Sequence, residues 1–246
     1  MKNLYSGIVA VLLVGLTNGY AQQRTEAYDF PVKPGTGPWH ALRSYQEKRD
    51  VCKIPERILS TISTKALIET YLHYPLLADI AVFRTLQEGT DKLQENFNGA
   101  QELLRRKDAG KLLLEYYRSM KPQALDAQWS LVEKGNYSFK IMAIEILLAQ
   151  DNVLASLDIA SRKTLLKIAN EKLEAKKTNQ EVYGTFSYTS TGWIMARILR
   201  DSNYAPFMNS LTQQEKHKVF VEQGFAFDNA TVDDVVNHTQ KFLLKN

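Results

Sequence analysis

The sequence predicts an all-α protein, and three observations carry that prediction. Apolar residues recur at helical spacing along nearly the whole chain. Capping and stopping residues stand at the ends of those periodic stretches. The β-prone pieces, residues 219–221 and 225–227, are short and flanked by helical signals, so no strand is expected. Short loops between helices place neighbours antiparallel and give helical hairpins. Such hairpins point to a degenerate HEAT- or armadillo-like α-α superhelix; because no clean sequence period is present, a compact irregular bundle of the same helices stays open.

Taken in order, residues 1–21 have the form of a cleavable signal peptide: Lys2 gives a positive start, residues 8–16 an apolar run, and Gly19-Tyr20-Ala21 a small-x-small cleavage site. The run is shorter than the ~20 residues of a spanning helix. The later apolar stretch around Ile144 is interrupted by Glu145. The expected product is therefore exported, periplasmic or extracellular, without stable membrane insertion. Residues 22–37 form a Pro/Gly-containing arm, in which Pro31 and Pro34 with Gly35 favour extended backbone. Residues 38–246 are then a single all-helical domain.

Within that domain Pro38 opens a helix carrying Trp39, Leu42 and Tyr45, and a short helix follows Pro55. Ser63 caps the next, through Leu72, and a partner from Leu76 through Leu86 is expected to stop at Gly89. Asn98, with Gln101 three residues on, suggests a capping box, and Asp108 splits the stretch 98–120 into two helices. Asp126 to Lys134 is expected to be helical with Gly135 as its stop, and Ser138 to open the most buried helix. Residues 157–177 make a long amphipathic helix with Leu165, Leu166, Ala169 and Leu173 inward. A break over 178–189 precedes a helix from Ser190. Capping boxes at Thr212 with Glu215 and at Thr231 with Asp234 announce the last two helices, the first closed by Gly224.

With 31 basic and 27 acidic residues the formal net charge is +4, too small an excess for a nucleic-acid partner. The clusters Arg105-Arg106-Lys107 and Lys176-Lys177 are expected on solvated helix faces. Cys52 is the only cysteine, which excludes an intramolecular disulfide and suits burial of an inert thiol.

The stretches PGTGPWHALRSYQEKRDVCKIPERILSTISTKALIETYLHYPLLADI and FNGAQELLRRKDAGKLLLEYY resemble a family of exported bacterial all-helical proteins without an assigned activity. The resemblance covers most of the N-terminal half after the leader. It implies a bacterial, exported, all-α protein and brings no catalytic residue with it.

Motifs for chemistry are sparse. The four histidines form neither HExxH nor ExxH, and Glu69 with His73 or Asp234 with His238 offers two ligands on one helix face, too few for a metal site. No GxSxG, SxxK or phosphate-binding glycine loop is present, so no catalytic residue and no cofactor are assigned. Trp39, Trp129 and Trp193 stand on helical stripes and are expected in the core. The segment 183–191 concentrates aromatic and hydroxyl residues ahead of the expected helix start, and Tyr183, Phe186, Ser187, Tyr188 and Ser190 are the candidate ligand-binding residues. The function expected is non-enzymatic binding of a protein or glycan partner in the cell envelope or outside it. The alternative is a hydrolase of envelope or external polymers, with carboxylates assembled from separate helices. Oligomeric state is not legible.

Overall fold

A computed structural model describes residues 25–245, so the leader read over residues 1–21 and its cleavage point lie outside the described residues. The described residues are all-α, with no strand among them. Their helices are α1 (Gly37–His40), α2 (Tyr45–Val51), α3 (Glu56–Leu59), α4 (Thr64–Leu72), a 3-10 helix (Leu77–Val82), α5 (Leu86–Asn96), α6 (Asn98–Arg105), α7 (Ala109–Ser119), α8 (Leu131–Leu148), α9 (Asp151–Ala155), α10 (Ile159–Lys177), α11 (Thr185–Asp201), α12 (Ala205–Gln213), α13 (Glu215–Gln223) and α14 (Asn229–Lys245).

Capping chemistry sets many of these boundaries. Ser63 accepts from Ala66 N–H at the start of α4, and Asp158 accepts from Ser161 N–H at the start of α10. Asp108 separates α6 from α7, as its position implied, although its carboxylate accepts from the Thr64 hydroxyl instead of capping. Gly224 ends α13 in the left-handed region, with φ of 65°.

Elsewhere the boundaries differ from those expected. The helix opened by Pro38 breaks in two, because Ser44 starts α2 by accepting from Glu47 N–H. Thr85 caps α5 in the same way, so Gly89 sits inside a helix instead of ending one. Phe97 takes the cap position of α6, while the Asn98 amide clamps Ile54 through both its backbone N–H and C=O. Ser130 and Glu133 form a capping box, and α8 runs through Gly135 and Ser138 without a stop. Gln214 precedes α13 where Thr212 was expected. Asp228, not Thr231, caps the first turn of α14 by accepting from Thr231 N–H.

The arm is part of the packing. Phe30 is buried edge-on to Tyr74, and Tyr28 N–H donates to the Thr70 hydroxyl. Residues 141–150 of α8 and its C-terminus are buried without interruption, and α11 is almost as enclosed. Helix α11 packs against α8, α10, α12, α13 and α14, and α13 returns to α5, which joins the end of the chain to its first half. Trp39 and Trp193 lie in the core, whereas Trp129 is half-buried against Tyr137.

Candidate functional site

The segment picked out by its aromatics and hydroxyls begins α11 five residues earlier than expected, so most of it is helical and its side chains divide between two faces. One face meets a charge that no periodicity reveals. Glu145, in the most buried stretch of α8, and Lys176, in the last turn of α10, are both fully buried. The Lys176 ammonium donates to both Glu145 oxygens at 2.8 and 2.9 Å, to Ser187 C=O at 3.0 Å and to the Thr191 hydroxyl at 2.8 Å. The hydroxyls of Tyr117, Ser190 and Thr191 reach the same carboxylate at 2.7, 2.5 and 2.9 Å. Lys176 is thus not the solvated residue its lysine-rich neighbourhood suggested, while Lys177 beside it is partly exposed and pairs with Glu174.

A buried charge persists only when its partners are complete, and this one has them. Burial pulls the Lys176 ammonium below the ordinary lysine value, with Glu145 opposing. Burial and the Glu145 charge together push the Tyr117 phenol well up. Three of the five candidate residues belong to this inner face. Ser187 and Ser190 serve the Glu145–Lys176 pair, and Tyr183 is buried with its hydroxyl donating to Pro122 C=O at 2.9 Å.

The other face opens outward. Phe186 is exposed and Tyr188 half-buried. Tyr188, with Thr185 and Thr189, lines a recess of about 320 Å³ whose far wall is Phe227, Asp228 and Val232, with Lys177 at its edge. Phe227 is 59% exposed and is also a wall of a second, wider recess of about 630 Å³. There it stands with Phe225 opposite Arg84, Glu88, Asp91 and Lys92 on and just before α5. The Arg84 guanidinium lies 5.7 Å from the Phe225 ring centre. Hydrogen bonds from the Thr231 hydroxyl and backbone hold the Asp228 carboxyl below its usual range.

Sequence reasoning missed Phe227, Asp228 and Lys177, because only the packing of α10, α11 and α14 brings them beside Tyr188. The pair of phenylalanines directly after the Gly224 turn was the available signal, an apolar pattern with no helical stripe to join.

The histidine pairs do not converge on a third ligand. His73 is exposed and faces the Lys140 ammonium at 3.4 Å, and Asp234 turns to His217 at 3.2 Å. Among the described residues no three of His, Cys, Asp or Glu are grouped to hold a metal ion. Cys52 is buried, which pushes its thiol up to about 11. None of the helices among the described residues is long and apolar enough to cross a membrane. Comparison with family models, with curated proteins and with solved structures finds no match to this chain.

Proposed function

We propose that this chain is an exported, non-enzymatic helical protein that binds a protein or glycan partner in the cell envelope or outside the cell, docking along the two recesses that share Phe227. The observation that carries the reading is Phe227 itself, a large apolar side chain left mostly in water between two open concavities. An aromatic ring so placed offers apolar contact, and the threonines, acids and lysines around it offer orientation. The exported address rests on the leader read over residues 1–21, and the family resemblance of the N-terminal half supports it.

The polymer-hydrolase alternative asks for two acids in one recess with values moved apart or upward. Asp228 is instead held low. Asp79, raised by burial, is the one acid among the described residues lining its own recess beside Tyr45. The binder is the better-supported reading.

The test is capture from envelope extract and from a panel of immobilised glycans, comparing the parent chain with Phe227→Ser and Tyr188→Ala. A partner of this surface binds the parent and loses about tenfold or more in affinity with Phe227→Ser, as expected for a central aromatic anchor. A partner bound equally by all three chains would place docking elsewhere.

A further inference from the structure

On a separate part of the surface, the end of α7 and the outer face of α10 enclose a small recess of about 130 Å³. Its charged lining is Arg118, Lys121, Glu171 and Lys172. Three cations face one carboxylate, which leaves two positive charges unmatched. Neither Arg118 nor Lys121, both exposed, has a carboxylate within 4 Å among the described residues. Lys172 is different, being 5% exposed at the inner end of the recess. Its ammonium donates to Met120 C=O and lies 4.8 Å from the centre of the Tyr117 ring.

The wall carrying Lys121 is held in place. Lys172 fixes Met120, the Tyr137 hydroxyl accepts from Lys121 N–H at 2.8 Å, and the Tyr183 hydroxyl donates to Pro122 C=O. Three backbone functions on the stretch 120–122 are thereby set before any ligand arrives, which lowers the ordering cost of binding. On the opposite wall Ile168, Glu171, Lys172 and Ala175 follow helical spacing on one face of α10.

We propose that this recess is a binding site for a dianionic oxyanion, a phosphate or sulfate group, held between the Arg118 guanidinium and the Lys121 and Lys172 ammonium groups. A group of charge near −2 matches the unbalanced charge of the lining, and a guanidinium fork suits its paired oxygens. The Ile168 and Ala175 side of the recess would lie against whatever carbon skeleton bears the group. Burial brings the Lys172 ammonium down to about 8, with Glu145 and Glu171 opposing and repulsion from Lys121 and Lys176 adding to the fall. An anion between these cations removes that repulsion. This site is independent of the Phe227 surface and stands or falls without it.

The test is titration of the purified protein with inorganic phosphate and with sulfate in chloride buffer at constant ionic strength, read by calorimetry and by melting temperature. Saturable binding with a raised melting temperature is expected, weakened at least about tenfold by the double variant Arg118→Gln with Lys121→Gln. Both side chains are exposed, so the variant should fold; its unliganded melting temperature checks this. Lys172→Met is the second variant and should also weaken binding. No saturable response, or an undiminished one in the folded double variant, would overturn the site. Co-sedimentation with phosphatidylcholine vesicles containing phosphatidic acid, abolished by the double variant, would assign the group to a lipid headgroup. Phosphate binding without co-sedimentation would assign it to a soluble ester or the free ion.

Discussion

Glu145 and Lys176 sit where water does not reach, and each is tolerable only because of the other. Removing one partner should therefore cost more than removing both. Glu145→Gln leaves a buried ammonium without its counter-charge and is expected to destabilise by about 3–5 kcal/mol, whereas Glu145→Gln with Lys176→Met should recover much of that loss. Denaturant unfolding of the three chains decides it; a double variant less stable than Glu145→Gln would show that the pair is not the unit. Lys172 gives a pH signature of the opposite kind from a stabilising ion pair. Its folded value, about 8, lies below the ordinary lysine value, so above pH 8 the unfolded chain binds the extra proton. The Lys172 contribution to stability should rise with pH from about 8 to about 10, by about 2 kcal/mol in buffer free of phosphate. The buried Cys52 thiol opposes it from about pH 9, so the comparison is made against Lys172→Met. Above that window the trend reverses, since Tyr71 and Tyr117 are raised by burial and keep protons that the unfolded chain gives up. The slope between pH 8 and 10 should flatten in Lys172→Met.

At the scale of the element, two glycines show what spacing alone conveys and what it does not. Gly89 and Gly135 both read as helix stops, and both turn out to lie inside helices. They do so for different reasons. A Cβ on Gly89 would stand 2.3 Å from the Ile80 carbonyl oxygen, so α5 can approach the 3-10 helix only with glycine there. A Cβ on Gly135 would meet nothing within 4 Å. Gly89→Ala is accordingly expected to destabilise by about 1–3 kcal/mol, and Gly135→Ala to stabilise by about 0.5–1 kcal/mol through helix propensity. Thermal unfolding of the two variants should shift in opposite directions. The apolar stripes of α4, α10 and α11 were legible because the repeat of Leu165, Leu166, Ala169 and Leu173 belongs to one element and needs no partner to be seen. Helix ends were less so, since the side chains that close them, Ser44, Thr85, Ser130 and Asp228, compete with equally plausible neighbours until the backbone chooses.

Across the whole molecule, the candidate site shows the same limit. Tyr188 and Phe186 could be chosen from one aromatic segment, but the hydroxyls of Ser190 and Thr191 just after them serve a carboxylate 45 and 46 residues away, and Phe227 arrives from beyond Gly224. Long-range joining of this sort centres on Arg197 in α11. Its guanidinium donates to Ala149 C=O at the end of α8, to Val221 and Glu222 C=O in the last turn of α13, and to the Gln87 side chain of α5. It also stacks 4.2 Å from the centre of the Trp193 ring. Arg197→Met should cost several of these bonds at once, about 3 kcal/mol or more, and broaden the unfolding transition as α5 and α13 lose their tie to α8. Helix tails ordinarily breathe, because their final carbonyls have no mates in the coil. Here one cation grips two such tails, so amide deuteration near residues 149 and 222 should run as slowly as in the interior. The same amides should be the first to quicken once that grip is released.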